Sequence, residues 1–309
     1  MTSSTNQLLN LVDDRTRLAG FNKMELLLFS LGGRETFAIN VFKVREVCET
    51  PPITPTPNMP CGIEGIISLR GAIIPVIALA PFLDIDGQGG GAKLIITEFS
   101  GHTQAFLVHE VDHIVRVDWE RVRAPQAMLT GSANRVTAIT ELPDGKLVSI
   151  LDVEQIVAET LGEEPIPQLD PIETGPNSTI FFADDSAVAR RKISQVLEKL
   201  GVPSQQAQNG REAWDKLSQL ARSAEQDGTA LSERLGMVLV DAEMPEMDGY
   251  VLTRHIKSDK RFEGIPVVMH SSLSSVANRK MGQQVGVDAY VAKFDASALA
   301  STISSMLKH

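Results

Sequence analysis

The chain has 309 residues, more than one hydrophobic core usually organises, so two domains are expected. Hydrophobic residues make up 43% and charged residues 22%, the balance of a globular protein; no apolar run reaches the roughly 18 residues of a membrane span, and no basic-then-apolar leader is seen. The net charge of −10 lies mainly in residues 1–168, where 13 basic side chains face 21 acidic ones, which argues against a nucleic-acid-binding surface.

Residues 5–18 put Leu8, Leu9, Leu11, Val12 and Leu18 on one helical stripe, so a helix is expected within 1–20, packed on the next domain or presented to a partner. From residue 21 the pattern turns to β. Runs rich in Val, Ile and Phe recur at Met24–Ser30, Thr36–Ile39, Ile63–Leu69, Ile73–Ile77, Lys93–Phe99, Gln104–Val117, Val136–Glu141 and Leu147–Leu151. Turn residues part them at Leu31-Gly-Gly, Arg70-Gly and Pro143-Asp-Gly. This predicts an all-β barrel or sandwich over 21–165, closed by a helix at Val153–Leu161. Cys48 and Cys61 have neither metal spacing nor a disulfide framework, as expected of a chain in a reduced cytosol.

Two stretches in this half imitate catalytic motifs. Gly87-Gln-Gly-Gly-Gly-Ala92 precedes a strand where a nucleotide-binding loop would follow one, and it reads as a hairpin loop. His109-Glu-Val-Asp-His113 has the letters of a zinc-protease motif, which works only on a helix. Its β-branched surroundings predict strand.

Four prolines within 163–178 predict a semi-extended linker over 166–177. Beyond it, apolar strands at Ile180–Ala183, Met237–Val240, Val267–Met269 and Ala289–Val291 alternate with amphipathic helical stretches. That alternation predicts a doubly wound α/β domain over 178–309, with ligands at the carboxyl ends of a parallel sheet. Those ends carry Asp184 and Asp185, then Asp241, Ser271 and Lys293. A single acid after a strand is ordinarily a helix cap. Asp-Asp, Asp, Ser and Lys at four successive ends instead suit Mg²⁺, which takes oxygen ligands and shares them with phosphate. Lys293 would neutralise one phosphoryl oxygen and the Ser271 hydroxyl would bond another. The pattern is that of a phosphorylatable switch.

On these residues, with Met244-Pro245, Asp248-Gly249 and Tyr290, residues 178–309 resemble a response-regulator receiver domain. The resemblance implies phosphotransfer from a histidine kinase to Asp241. Mg²⁺ would be held by Asp185, Asp241 and the backbone carbonyl of Glu243, with Asp184 acting partly through water. Ser271 would move toward the phosphoryl group and Tyr290 would turn inward, while Glu243 and Leu273 would tune hydrolysis. Two features depart from the pattern: Phe294 replaces the usual proline after the lysine, and Ser218–Gly236 is long, an extended helix or loop.

The β-rich half resembles a CheW-like coupling domain, a pair of small barrels. The matching strings are Val44-Arg45-Glu46-Val47, Ile53-Thr-Pro-Thr-Pro-Asn58, Gly65-Ile-Ile-Ser-Leu-Arg-Gly71, Ile74-Pro-Val-Ile77 and Lys146-Leu-Val-Ser-Ile-Leu-Asp152. In that family Glu46 and Arg70 match a charged pair near the partner-binding surface; read without the resemblance, they are an exposed pair worth well under ~1 kcal/mol. Coupling domain followed by receiver resembles the CheV family of chemotaxis proteins. The implied function is an adaptor, not an enzyme on external substrates, linking methyl-accepting chemoreceptors to the histidine kinase CheA. It would sit in the cytoplasm at receptor arrays, with no nucleic acid bound and no insertion into the membrane. Phosphorylation would serve adaptation or a phosphate sink. A metal-dependent aspartyl phosphatase and a transcriptional response regulator are the alternatives; the first lacks a cap segment and the second a basic output domain.

Overall fold

A computed structural model describes residues 23–85, 92–99, 102–123, 135–162, 165–172, 179–271, 282–293 and 295–307. The expected N-terminal helix, most of the glycine-rich loop, the end of the linker, Leu273 and Phe294 lie outside these residues. The chain divides into two compact units, Met1–Glu163 and Glu164–His309.

The first unit holds two five-stranded sheets. One runs β8(Glu110–Asp118), β1(Lys23–Ser30), β2(Thr36–Asn40), β10(Leu147–Leu151), β9(Val136–Glu141). The other runs β3(Val44–Glu49), β6(Lys93–Phe99), β7(His102–Val108), β5(Ala72–Ala78), β4(Ile63–Leu69). Side chains alternate across a strand, so a strand apolar at every position feeds two cores at once. In β1, Leu26 and Leu28 fill the interior of the first sheet, while Leu27 and Phe29 enter a core shared with the second. In β6, Leu94 and Ile96 line the second interior and Ile95 faces the shared core. Helix α1(Val153–Leu161) starts at Asp152, whose carboxylate accepts the amide of Gln155 at 2.9 Å, and buries Val153 and Ile156 in that shared core.

Two readings change in this unit, and the strand expected around His109 and His113 is found. The run Gln104–Val117 is two strands that part at His109, whose amide donates to the carbonyl of Ser30 at 2.9 Å. Val44–Glu49, matched above only as a motif, is strand β3. His109 and His113 are exposed and on extended chain, where four residues span about 13 Å, too far to share a zinc ion.

The second unit is one parallel sheet, ordered β12(Ser204–Ala207), β11(Thr179–Ala183), β13(Leu235–Val240), β14(Val267–Ser271), β15(Ala289–Ala292). In β11, Phe181 and Ala183 face one core with helices α3(Gly210–Asp227) and α4(Gly249–Ser258). Ile180 and Phe182 face the other, with α2(Ala187–Leu200) and α5(Ala296–Leu307). The long stretch after residue 218 is resolved as a helix: α3 continues to Asp227 and ends at Gly228, in the left-handed conformation glycine tolerates. Residues 166–172, the described part of the expected linker, lie against this unit. Ile166, Leu169 and Ile172 pack on the α2–α5 core, Lys199 Nζ donates to the carbonyls of Ile166 (2.8 Å) and Pro167 (3.2 Å), and the Ile172 amide donates to Leu200 (3.1 Å).

Candidate phosphoacceptor site

Neighbouring strands deliver the acids to one rim. Asp184 and Asp185 follow β11 and Asp241 follows β13; the amide of Asp241 donates to the carbonyl of Ala183 at 2.8 Å, which locks the two strand ends together. Lys293 follows β15, and its amide donates to the carbonyl of Ser271, the last residue of β14, at 2.9 Å. The lysine ammonium then lies 2.9 Å from Asp241 Oδ2 and 3.1 and 2.9 Å from Oδ1 and Oδ2 of Asp184. Asp184, Asp241 and Lys293 are buried and Asp185 is half-buried.

The loop after Asp241 depends on close backbone approach. The Gly249 amide donates to the carbonyl of Ala242 at 3.0 Å, and a Cβ on Gly249 would collide with the carbonyl oxygen of Asp241. Asp248 caps α4, its carboxylate accepting from the Val251 amide at 2.8 Å. On the far side of the loop, a Cβ on Gly210 would collide with the carbonyl of Met247. Arg190, one turn into α2, reaches back to donate to the carbonyls of Asp184 (2.8 Å) and Asp185 (2.9 Å).

One carboxylate oxygen from each of Asp184, Asp185 and Asp241 lies within 4.8 Å of the others. Burial drives the Asp184 carboxyl upward, but Lys293 and His270 outweigh it and hold the group at about 2. Burial pushes Asp241 well above the usual carboxylate range, Lys293 offsets only part of this, and Asp184 and Asp185 add to it. Three carboxylates with one ammonium are thus short of positive charge, and this shortage shifts Asp241 toward its protonated form. A divalent cation with a preference for oxygen fits this set, since it would supply the missing charge and leave Asp241 ionised.

The remaining expected residues fall nearby. Ser271 is buried at the end of β14; Glu243 is buried two residues beyond Asp241; Tyr290 on β15 pairs with Met269 and is half-buried. Glu46 and Arg70 belong to the other unit. They form a 2.7 Å ion pair between β3 and the β4–β5 turn, where Arg70 takes a left-handed φ of 49°. Arg190, His270, Gly210 and Tyr250 carry no signal in strand-end arithmetic. Arg190 alone had a usable one, four residues past the Ser186 cap and so one turn from the acids.

Residues 25–161 match the model of the CheW-like domain, and residues 180–304 match that of the response regulator receiver domain. Fold and site therefore define a CheW-like domain joined to a receiver domain. The chain is 32% identical to the chemotaxis protein CheV3 of Helicobacter pylori over 93% of its own length and 95% of that protein. It is 27% identical to CheV1 of the same organism, over 96% and 97%. Among solved structures, the scaffolding protein TtCheW of Thermoanaerobacter tengcongensis is 31% identical over 46% of this chain and 91% of that one, with a TM-score of 0.41. The chain belongs to the CheV family: it is a chemotaxis coupling protein that carries a receiver domain. The family leaves the phosphatase and transcription-regulator readings without support. Among the described residues, no helix is long and apolar enough to cross a membrane.

Proposed function

We propose that Asp241 is the phosphoacceptor and that its phosphorylation by the histidine kinase CheA regulates coupling of that kinase to chemoreceptors. The observation that carries this reading is the Lys293 ammonium, 2.9 Å from carboxylate oxygens of both Asp184 and Asp241 in a buried rim. Asp184, Asp185, Asp241 and the backbone carbonyl of Glu243 would hold Mg²⁺, which when bound supplies the positive charge that draws phosphate oxygens to the rim. A carboxylate oxygen of Asp241 attacks phosphorus of a phosphohistidine. The P–O bond forms as the P–N bond breaks, and the imidazole keeps the electron pair and takes up a proton. Lys293 steadies one phosphoryl oxygen as a compact charge, and the Ser271 hydroxyl donates to another. The new charge, by analogy with other phosphorylated side chains, approaches −2 and biases the packing of Ser271 and Tyr290.

The coupling domain would bind receptor tips and the kinase, with Glu46 and Arg70 at that surface. The chain then acts on no external substrate and works as an adaptor at receptor arrays. Incubation with phosphorylated CheA and Mg²⁺ should label the unaltered chain, and Asp241→Asn should remove the label while receptor binding persists. Undiminished labelling of Asp241→Asn would take the acceptor role away from this residue.

A further inference from the structure

The sequence holds two tyrosines, Tyr250 and Tyr290, and the fold brings them to one place. Tyr250 lies in the first turn of α4, just past the Asp248 cap; Tyr290 lies on β15 opposite Met269. Ala242, Tyr250 and Met269 make a small buried cluster, and Tyr290, Val285 and Val287 pack against it. Tyr250 is 8% exposed, and its hydroxyl oxygen, sealed from solvent, has no hydrogen-bond partner among the described residues. A buried phenol ordinarily finds a partner, because leaving the group unpaired forfeits the bonds it made to water. Burial pushes the Tyr250 phenol up, with Tyr290, Glu243, Asp248 and Asp241 adding to the effect, so the hydroxyl keeps its proton and stays a neutral donor and acceptor.

We propose that Tyr250 is a positioning residue for the switch: its hydroxyl is the buried hydrogen-bond partner that Tyr290 takes up on turning inward. The inference rests on the reading of Asp241 as phosphoacceptor. Occupation of Asp241 makes room beside Ser271, Tyr290 enters, and the two phenols pair, one donating and the other accepting. An unmet hydroxyl thereby disfavours the resting arrangement and a met one favours the switched arrangement. A leucine at 250 would fill similar space but would not discriminate between the two.

Two tyrosines allow a direct test. The full chain is labelled with 3-fluorotyrosine and followed by fluorine NMR with Mg²⁺, before and after beryllofluoride, whose own bound signal reports occupation of Asp241. Tyr290→Phe and Tyr250→Phe assign the two ring signals. In Tyr250→Phe the resting protein should melt a few degrees higher (about 4 °C for a net change near one hydrogen bond). The inward-to-outward ratio of Tyr290 with beryllofluoride should fall roughly 3- to 10-fold, the weight of a single net hydrogen bond. An unchanged Tyr290 ratio overturns the proposal whatever the melting temperature does, and so does a lower melting temperature, which would mean that the hydroxyl is already paired. Bound beryllofluoride with static rings also overturns it. A chain that binds no beryllofluoride sinks the phosphoacceptor reading and this proposal together.

Discussion

Lys293 is the side chain on which the acidic rim turns. Its ammonium is shared between a carboxyl held below the usual range, Asp184, and one pushed above it, Asp241. The two contribute oppositely to stability. Asp184 at about 2 lies below the ~3.9 of an unfolded aspartate, so its charge stabilises the fold above about pH 4 and that contribution is lost as pH falls toward 2. Asp241, raised in the fold, opposes folding at neutral pH, and its penalty fades on acidification. Lys293→Met leaves buried charge uncompensated and should cost roughly 3–5 kcal/mol at pH 7 without magnesium. It should also shrink the acid-side loss that stems from Asp184, since only His270 then holds that carboxyl down, and added Mg²⁺ should recover part of the stability. Urea unfolding at pH 7 and across pH 5 to 2 measures all three. A variant as stable as the unaltered chain at pH 7 would mean that the ammonium does not hold the rim.

At the scale of elements, the rim is built from strand ends and from two glycines that admit backbone where a side chain would stand. Gly210→Ala forces the α3 start away from Met247, and Gly249→Ala forces the α4 start away from Asp241. Each should cost about 1–3 kcal/mol, as overpacking does, and slow labelling at Asp241. Gly201→Ala, which meets nothing within 4 Å but has φ +74°, should cost about 1–2 kcal/mol of stability and leave labelling unchanged. Thermal melts with a labelling time course separate the two kinds of loss; equal labelling in all three would show that the loop does not depend on close approach. The acids and the lysine were legible because each directly follows an apolar run, and α/β topology then sends them to one rim. Strand β12 was not, since Ser204-Gln-Gln-Ala is polar and exposed except at Ala207, and only its pairing with β11 makes it a strand. Strand β3 was hidden for a similar reason, with Arg45, Glu46 and Glu49 in six residues. The collision avoided at Gly210 and the unmet hydroxyl of Tyr250 exist only in three dimensions, so no spacing rule reaches them.

For the whole molecule, each unit carries cores of its own, and perturbations should report on the unit they touch. Phe181→Ala empties a fully buried site in the receiver and should cost about 3–5 kcal/mol there. On the proposed reading Mg²⁺ should raise the melting of the same unit, because it would bind the folded rim and not the unfolded chain. Ile77→Ala, in the core shared by the two barrels, should lower the stability of the coupling unit by about 2–5 kcal/mol and leave magnesium affinity unchanged. Calorimetry with and without Mg²⁺ checks these assignments, and a Phe181→Ala chain with undiminished receiver stability would contradict them.

The most direct test is kinase activity in arrays rebuilt from receptor fragments, CheA and this chain as the only coupling protein. The account predicts that the chain supports receptor-controlled kinase activity, that a small-molecule phosphoryl donor with Mg²⁺ alters this activity, and that Asp241→Asn couples equally well but ignores the donor. An Asp241→Asn chain that responds to the donor as the unaltered chain does would contradict it.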